Sequence, residues 1–438
     1  MSPVRGIPAE LALEGPHPLL GRLRVPGDKG ISHRVLLFAA MADGRSRAFG
    51  LAGGDDVFRT RRALGQLGVQ IKPAGSGVTV LGRGVDGITE PGAVIDCGNS
   101  GTSLRMLAGL LAGRPFLSVL TGDNSLVERP MGRLVVPLRA MGAQIDGRAE
   151  ASRAPLVVRG GGLVGGRHAL PVASAQVKTA LILAALQASG TTEITEPSAS
   201  RDHTERMLGA LGAPVTRLDE RAVRVTAGAP VPLELEVPGD PSSAAFWVVA
   251  ATITSGSEVT IEGVALNPTR IAFVDVLCRM GAEIEIATTG EQLGEPVGEL
   301  HVVARPLHAT TIEGAEIPWV IDEIPALAVA AAFAEGVTEI RDAAELRVKE
   351  SDRIATVRDL LSALGVGVET SADGLAIHGG RPQAALVDSH GDHRIAMAGA
   401  VAANAIHGES RVRNWRAVAS SYPEFTDDLA VLTGRTSL

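Results

Sequence analysis

A four-residue phrase, Val-Pro-Gly-Asp, occurs twice in this sequence, at residues 25–28 and again at 237–240. The two copies divide the 438 residues into two halves of similar length. Length alone suggests about three domains. The repeated phrase argues instead for two, each large enough to bury its own core.

The first copy is followed by two cations at the predicted start of a helix. Lys29 and Arg34 flank the small residues Gly30 and Ser32, and the apolar run 35–40 begins directly afterwards. A helix N-terminus favours anions through its unpaired N–H groups and its dipole, whereas basic residues are normally favoured at the other end. The pattern therefore indicates a site for phosphate or carboxylate. The alternative is an ordinary solvated first turn.

Charge and cysteine content exclude several classes of protein. The formal net charge is −8 and both signs are spread along the chain, which argues against nucleic acid or an anionic membrane as the main partner. Cys97 and Cys278 are the only cysteines, and residues 1–20 lack the cationic and apolar regions of a secretory signal. We therefore expect a cytoplasmic protein with reduced thiols. The longest apolar runs, such as 326–334, are far shorter than the roughly 18 residues that cross a bilayer.

Five similar helix endings predict a repeated α/β unit. Each is a Leu-Gly or Met-Gly step followed by a short alternating run, and the glycines are Gly68, Gly142, Gly212, Gly281 and Gly365. Glycine allows the left-handed conformation that ends a helix, and alternation is typical of a strand. The spacing of about 70 to 85 residues exceeds that of solenoid repeats and suits compact α/β units. With a sixth unit over 427–434, the sequence predicts three units in each half.

Three more stretches combine small or hydroxyl residues with a cation at predicted helix starts. They are 97–105, which joins a strand to an apolar helix, 123–133, which contains Glu-Arg-Pro, and 174–178, Ser-Ala-Gln-Val-Lys. Each stretch alone is explained by a helix cap. Together with 29–34 they repeat one arrangement within the first half, and this repetition indicates several contacts to anions.

Three motif matches are rejected on context. Residues 160–165 fit the dinucleotide pattern G-x-G-x-x-G, but residues 166–171 do not open the helix on which a pyrophosphate would rest. Residues 27–30 lack the four-residue spacer of a P-loop. The His-Gly-Asp-His run at 390–393 has no further ligand cluster of recognised spacing, so capping and hydrogen bonding explain it better than a metal.

The second half carries groups suited to proton transfer. Asp322 and Glu323 lie among apolar residues just before an Ala- and Val-rich helix. Burial there would raise the pKa of a carboxyl group and suit it to general-base work, and a helix cap is the alternative. Lys349 and Arg353 are four apart, a repulsive placement on one helical face unless an anion lies between them. Arg394 stands at the start of another small, apolar helix.

Taken together, these stretches resemble the enolpyruvyl transferase family over essentially the whole chain. In chain order they are PGDK (26–29), GNSGT (98–102), ERP (128–130), SAQVK (174–178), SRDHT (200–204), IDE (321–323), KESDR (349–353) and GDHR (391–394). The resemblance implies transfer of the carboxyvinyl group of phosphoenolpyruvate to the 5-hydroxyl of shikimate 3-phosphate, with release of phosphate. That reaction belongs to the synthesis of chorismate and the aromatic amino acids, and it implies no cofactor.

The resemblance also implies an α/β fold of two lobes, each with three repeated β-α units around buried helices, an inside-out α/β barrel. The first lobe, 27–237, is expected to bind acceptor and phosphate. The second lobe, 1–26 plus 238–438, is expected to carry the acid/base groups and a carboxylate clamp. The active site is expected in the cleft between the lobes. We expect a monomer whose partners are the two small-molecule substrates.

Individual residues receive roles from the same resemblance. Those expected at shikimate 3-phosphate are Lys29, Gly30, Arg34, Ser174, Ala175, Gln176, Ser200, Arg201, Asp322 and Lys349. Those expected at phosphoenolpyruvate are Lys29, Gly101, Arg129, Gln176, Arg353 and Arg394. Asp322 is expected to take the proton of the attacking hydroxyl. Glu350, with Lys349 beside it, is expected to deliver a proton to the methylene carbon.

Two positions depart from the family pattern. Gly30 stands where the family has a serine whose hydroxyl meets the shikimate carboxylate, and Ser420 stands where some members have lysine. Gly30 leaves two alternatives: an enolpyruvyl transferase for another acceptor, such as a modified shikimate or UDP-N-acetylglucosamine, or a paralogue that binds phosphorylated carbocycles without turnover. Relatives that use the nucleotide sugar typically have a cysteine before the Arg-Pro pair, whereas 123–128 has none. Retention of Asp322 and Glu350 argues against a paralogue without turnover.

Overall fold

The computed structural model describes residues 6–436, which divide into two compact units. The first unit comprises Gly27–Val237 with Glu291–Glu295. The second comprises the described residues up to Pro26, Pro238–Gly290, and those from Pro296 onward. The main breaks fall within the two copies of Val-Pro-Gly-Asp. The short segment 291–295, which belongs to the first unit, is not predicted by the sequence.

The helices of the two units fall into buried and amphipathic sets. Over the described residues they are α1 (Lys29–Met41), α2 (Asp55–Gln66), α3 (Gly101–Ala112), α4 (Gly132–Ala140), α5 (Ala175–Ala185), α6 (His203–Ala210), α7 (Pro241–Ile253), α8 (Ala272–Arg279), α9 (Ile317–Val320), α10 (Ile324–Ala332), α11 (Arg353–Ala363), α12 (His393–Ala405) and α13 (Phe425–Thr433). In the first unit α1, α3 and α5 are buried on nearly all sides, as α7, α10 and α12 are in the second. Helices that are apolar all round form the core of each unit.

Strands alternate with these helices along the chain. Within the described residues they are β1 (Glu10–Gly15), β2 (Leu20–Leu23), β3 (Asp43–Phe49), β4 (Gln70–Ala74), β5 (Gly77–Arg83), β6 (Ile95–Asp96), β7 (Leu117–Thr121), β8 (Gln144–Arg148), β9 (Arg153–Arg159), β10 (Arg167–Ala169), β11 (Thr191–Thr195), β12 (Val215–Arg217), β13 (Ala222–Thr226), β14 (Glu234–Glu236), β15 (Glu258–Ala265), β16 (Glu283–Gln292), β17 (Glu295–Val303), β18 (Thr311–Ile312), β19 (Val337–Ile340), β20 (Gly367–Thr370), β21 (Leu375–His378), β22 (Leu386–Asp388) and β23 (Gly408–Arg413).

Each unit contains three small sheets built on one plan. Those of the first unit have the orders β14-β3-β5-β4, β6-β7-β9-β8 and β10-β11-β13-β12. Those of the second have the orders β2-β15-β17-β16, β18-β19-β21-β20 and β22-β23-β1. Every sheet has one parallel pair at an edge and an antiparallel partner beside it, for example β6 with β7 and β7 with β9. The prediction of three β-α units in each half is thus confirmed.

The helix endings and one rejected motif are confirmed as well. All five glycines of the Leu-Gly and Met-Gly steps have positive φ, between 69° at Gly212 and 107° at Gly142, and a strand follows each. The glycine-rich run 160–165 leads into strand β10 and not into a helix. In the sixth unit α13 likewise ends at a left-handed glycine, Gly434, but its sheet is completed by β1 from the start of the chain.

Among residues 6–436, no helix combines the length and the apolar character needed to cross a membrane.

Candidate active site

The first predicted cation, Lys29, begins α1 in the first unit. Asp28 Oδ1 accepts a hydrogen bond from the Ile31 N–H at 2.7 Å, which caps the helix. Lys29 Nζ lies 3.0 Å from Asp56 Oδ2 in the first turn of α2, and only 19% of the Lys29 side chain is exposed. This contact ties the starts of α1 and α2 together, so the alternative of a solvated first turn is wrong.

Arg34, one and a half turns further along α1, joins three helices. Its Nε donates to Thr204 Oγ1 of α6 at 2.7 Å, and its Nη2 donates to Thr179 Oγ1 of α5 at 2.8 Å. Its Nη1 donates to the Gly30 carbonyl oxygen at 2.9 Å. The two threonine hydroxyls lie 2.6 Å apart. The planar guanidinium is therefore held by a buried frame of oxygen atoms, a geometry that a lysine ammonium cannot reproduce.

Gly30 lies in close quarters between these groups. A Cβ at this residue would lie 3.1 Å from Asp28 Oδ1, 3.4 Å from Arg34 Nη1 and 3.9 Å from the His203 ring. The backbone of Gly30 is helical and not left-handed, so an L side chain meets no conformational barrier there. The departure at Gly30 therefore changes which chemical group faces the site, and the backbone does not require it.

The starts of α5 and α6 carry the next set of predicted residues. Ser174 occupies the N-cap position of α5, Ala175 is its first residue, and the Ser174 N–H donates to Glu196 Oε1 at 3.2 Å. Ser200 precedes α6 and is 94% buried; its Oγ has no hydrogen-bond partner among the described residues. Arg201 follows it and is partly exposed. The structure thus places a serine at or just before each helix start, together with the cation Arg201 before α6.

The residues predicted at phosphoenolpyruvate in this unit surround the start of α3. Gln176 Oε1 accepts from Arg105 Nη1 at 2.6 Å, and Arg129 Nη2 donates to Asn99 Oδ1 at 2.5 Å. A Cβ at Gly101 would lie 2.7 Å from Arg105 Nη1 and 3.2 Å from Arg129 Nη1. Gly101 is small because two guanidinium groups pass directly over the helix start.

In the second unit the predicted residues converge on Asp322. Asp322 Oδ1 lies 3.2 Å from Lys349 Nζ and 3.3 Å from Arg353 Nη1. Lys349 is extended and lies before α11, which begins at Arg353, so the two cations do not share a helical face. The anion between them is the carboxylate of Asp322 itself.

Arg353 is buried among three acidic side chains. Its Nη2 lies 2.6 Å from Glu350 Oε2, and its Nε lies 2.9 Å from Asp392 Oδ2. Burial alone lowers the pKa of Arg353, but Asp392, Glu350 and Asp322 outweigh it and hold that pKa above its ordinary value. Asp392 is also buried, which raises its pKa, and Arg353 overcomes this effect so that the net pKa is lowered. Both members of the pair are charged at neutral pH.

Arg394 completes the set from the start of α12. Its Nη1 donates to the Asp322 carbonyl oxygen at 2.8 Å and lies 3.8 Å from Glu323 Oε1. Glu323 also accepts a hydrogen bond from the Ser242 hydroxyl. Glu323 occupies the N-cap position of α10 but makes no side-chain bond to the helix N–H groups. The reading of these acids as helix caps is therefore wrong.

Several residues of the site were not singled out by the sequence. Arg105, Thr179 and Thr204 hold predicted residues in place through contacts between helices distant in sequence. Arg105 ends the stretch 97–105, Thr204 ends the matched stretch 200–204, and Thr179 directly follows the stretch 174–178, which was the available signal. His390 and His393 belong to no metal-binding cluster: across residues 6–436 no group of three His, Cys, Asp or Glu side chains could hold a metal ion.

The family model described as EPSP synthase (3-phosphoshikimate 1-carboxyvinyltransferase) matches residues 13–429. The chain belongs to the EPSP synthase family. Curated relatives agree with this assignment. Proteins named 3-phosphoshikimate 1-carboxyvinyltransferase from Herpetosiphon aurantiacus and Chloroflexus aurantiacus are each 52% identical, covering 93% and 96% of this chain and 95% and 98% of their own. The predicted resemblance to enolpyruvyl transferases is confirmed.

Solved structures support the EPSP synthase fold. An EPSP synthase from Acinetobacter baumannii is 40% identical, covers 97% of this chain and 98% of its own, and superposes with a TM-score of 0.86. The enolpyruvyl transferase NikO from Streptomyces tendae is 19% identical over 97% of each chain, with a TM-score of 0.77. At that identity NikO indicates the fold alone. The predicted α/β enolpyruvyl transferase fold is confirmed, whereas the roles of individual residues stay predictions.

Proposed function

We propose that this protein transfers the carboxyvinyl group of phosphoenolpyruvate to the 5-hydroxyl of shikimate 3-phosphate and releases phosphate, in the synthesis of chorismate and aromatic amino acids. The observation that carries the proposal is the identity of 52%, over 96% of the chain, to a relative named for this transferase activity. The geometry of both units supports it.

The first unit supplies the binding of the acceptor. Arg34, with Lys29 nearby on α1, faces the starts of α5 and α6, where Ser174 and Ser200 stand. Helix starts and guanidinium groups both favour phosphate and carboxylate oxygens. We assign the 3-phosphate and the carboxylate of the acceptor to this region. Phosphoenolpyruvate is assigned to Gly101 and its neighbouring cations.

The second unit supplies the transfer of protons. Asp322, with two cations beside its carboxylate, takes the proton of the 5-hydroxyl as its oxygen attacks C2 of phosphoenolpyruvate. Glu350 gives a proton to the methylene carbon, which becomes a methyl group and leaves C2 electrophilic. The new C–O bond yields a tetrahedral intermediate. The Glu350 carboxylate then takes one methyl proton back, the bond between C2 and the phosphate oxygen breaks, and the double bond is restored as phosphate leaves; no cofactor takes part in this sequence.

Charge stabilisation explains why the site needs so many cations. Two multiply charged anions must meet, and phosphate must leave with its charge. Arg353 and Arg394 are held rigidly by carboxylates and by a backbone oxygen, so they need little reorganisation during the reaction. We assign them to the phosphoenolpyruvate carboxylate.

We further propose that the substrates bind in a cleft between the lobes 27–237 and 1–26 plus 238–438, in a cytoplasmic monomer. The support is that each unit carries only part of the required chemistry. Small-angle scattering tests the closure of such a cleft: saturating shikimate 3-phosphate with a phosphoenolpyruvate analogue should reduce the radius of gyration, and an unchanged profile contradicts it. Light scattering at micromolar concentration tests the monomer.

Phosphate release from phosphoenolpyruvate tests the function. The acceptors are shikimate 3-phosphate, shikimate and UDP-N-acetylglucosamine, and the product is identified by its carboxyvinyl signal in NMR. We expect release only with shikimate 3-phosphate. Release with the nucleotide sugar alone supports a different acceptor, and binding of shikimate 3-phosphate without release supports a paralogue without turnover.

A further inference from the structure

Three buried charged side chains lie next to the proposed acceptor site and have no role in the reaction described above. Lys178 stands in α5, and its Nζ lies 2.7 Å from Glu196 Oε2 and 2.7 Å from Glu205 Oε1. The exposed fractions of the three side chains are 4%, 0% and 7%. We call these residues the Lys178 triad.

Burying three charged groups is unfavourable unless close ion pairs and hydrogen bonds compensate for the lost hydration. Each of the three charges loses its hydration, and one ammonium must balance two carboxylates. Burial lowers the pKa of Lys178, but Glu205 and Glu196 outweigh this effect and raise that pKa, so the ammonium stays charged. Because a buried triad of this kind contributes little net stability, its importance lies in what its members hold in place.

The triad connects the two helix starts that the proposed function assigns to the acceptor. Glu196 follows β11 and accepts the Ser174 N–H at the start of α5. Glu205 lies in the first turn of α6, just after Ser200 and Arg201. Lys178 bridges both acids, so its ammonium fixes the distance between the segment at 174–176 and the segment at 200–201.

A second joint lies directly beside the triad. Thr179 and Thr204, the sequence neighbours of Lys178 and Glu205, meet at 2.6 Å and both accept from Arg34. Two sets of contacts therefore set the spacing of α5 and α6. One is formed by the Thr179 and Thr204 hydroxyls at Arg34, which is assigned to the acceptor, and the other is the Lys178 triad. The buried Ser200 hydroxyl, without a partner among the described residues, lies on the segment that the triad holds.

We propose that Lys178 is a positioning residue for the acceptor: with Glu196 and Glu205 it holds the 174–176 and 200–201 segments at the spacing that one phosphate group requires. The proposal rests on the proposed function, since it concerns the same site. Lys178 itself touches no substrate. Because small displacements of binding groups are costly, loosening the triad should weaken binding of the acceptor. Phosphoenolpyruvate should change much less, because Gln176, the residue of these segments that is assigned to it, is also held by Arg105 at 2.6 Å.

The test compares Lys178→Met with Lys178→Arg in the full-length protein, and Arg114→Met serves as a matched control. Arg114 is a buried cation of the same unit, held by Gln187 and Asp86 beyond the opposite end of α3. We expect Lys178→Met to raise the KM for shikimate 3-phosphate at least tenfold while the KM for phosphoenolpyruvate and kcat stay within threefold. Lys178→Arg should recover most of the loss, and the control should change neither KM.

A second variant keeps the proposal open to refutation if Lys178→Met does not fold. Glu205→Gln preserves size and hydrogen bonding but removes one charge, and we expect it to weaken calorimetric binding of shikimate 3-phosphate severalfold. If the wild-type protein does not bind shikimate 3-phosphate, the proposed function fails. If the wild type binds it and the triad variants behave like Arg114→Met, or raise both KM values together, the positioning role is overturned.

Discussion

Helices α1 and α7 follow the two copies of Val-Pro-Gly-Asp, and they start alike. Each is 13 residues long and buried. In each, the aspartate of the repeat accepts a backbone N–H of the first turn, Asp28 from Ile31 at 2.7 Å and Asp240 from Ser242 at 2.8 Å. The repeated phrase is therefore a device of the fold: a turn and a cap that start a core helix.

The residues after the cap differ. Lys29 and Arg34 of α1 correspond to Pro241 and Phe246 of α7, so only the first helix presents cations. Ser242, which corresponds to Gly30, donates its hydroxyl to buried Glu323 beside Asp322. On the proposed function, the start of α1 is assigned to anion binding, and the start of α7 supports the loop that is assigned to proton transfer. A repeat in the sequence thus identifies a shared architecture, and its differing positions identify the chemistry.

The largest effect on activity should come from removing the carboxylates that are assigned to proton transfer. Asp322→Asn and Glu350→Gln should each lower kcat by about a hundredfold or more, the usual loss for a positioned base or acid. Steady-state phosphate release measures it. Asp359→Asn, an exposed acid on α11, is the control and should be neutral. Turnover within a fewfold of wild type in either site variant rejects the role given to that residue.

Breaking the anion-binding side should affect affinity. Arg34→Lys keeps the charge but cannot reach Thr179, Thr204 and the Gly30 carbonyl together. We expect the Kd for shikimate 3-phosphate to rise by about ten- to a hundredfold, since bonds to charged groups contribute roughly 1.5 to 3 kcal/mol. Phe246→Leu, at the matching position of α7, should lower stability without changing this Kd. Equal effects of the two variants on Kd contradict the division of labour.

Substitutions at Gly30 test the difference between the two helix starts at a single position. Gly30→Ser introduces a hydroxyl where α7 has Ser242, and it should tighten shikimate 3-phosphate by about tenfold if the hydroxyl meets the acceptor carboxylate. Gly30→Ala adds the same Cβ, 3.1 Å from Asp28 Oδ1, and controls for crowding. Calorimetric titration decides between them. If the serine variant binds no better than the alanine variant, the pocket is shaped around Gly30 and a different acceptor becomes the better hypothesis.

The smallest expected effect concerns pH. His33 of α1 corresponds to Ala245 of α7 in the repeat and is buried. Burial, together with the nearby cations Lys29 and Arg34, lowers the pKa of His33 from 6.5 to about 3. The unfolded chain therefore binds a proton that the folded chain excludes between pH 6.5 and 3. As the pH is lowered through that window, the free energy of unfolding should decrease, by at most about 1.4 kcal/mol per pH unit.

The variant His33→Asn checks this pH dependence. Asparagine can keep the hydrogen bond that His33 Nδ1 makes with Thr60 Oγ1 at 2.7 Å, but it does not titrate. Urea midpoints between pH 7 and pH 4 should give a shallower slope for the variant, by about one proton. Identical slopes for the two proteins show that His33 is not the group responsible.

The sequence predicted what depends on neighbouring residues. A glycine after Leu211 ends α6 because it adopts the left-handed conformation that this position requires, with φ of 69°. The sequence did not predict that β1 completes the last sheet by pairing with β23, because that pairing joins opposite ends of the chain. The site shows the same limit. The spacing of Lys349 and Arg353 indicated repulsion unless an anion lay between them, but it did not identify Asp322, whose position there depends on packing between distant segments.

We assign most of the acceptor's affinity to the unit that carries α1, and only a small part to Asp322, which is expected to contact the 5-hydroxyl; one measurement tests this division directly. Shikimate 3-phosphate is titrated calorimetrically into the double variant Asp322→Asn, Glu350→Gln, in which turnover is abolished. We predict a Kd within about threefold of the wild-type value, which is a difference of less than about 0.7 kcal/mol in binding free energy. A Kd weakened tenfold or more would mean that the proton-transfer groups hold the acceptor, and would contradict the assignment of binding to α1, α5 and α6.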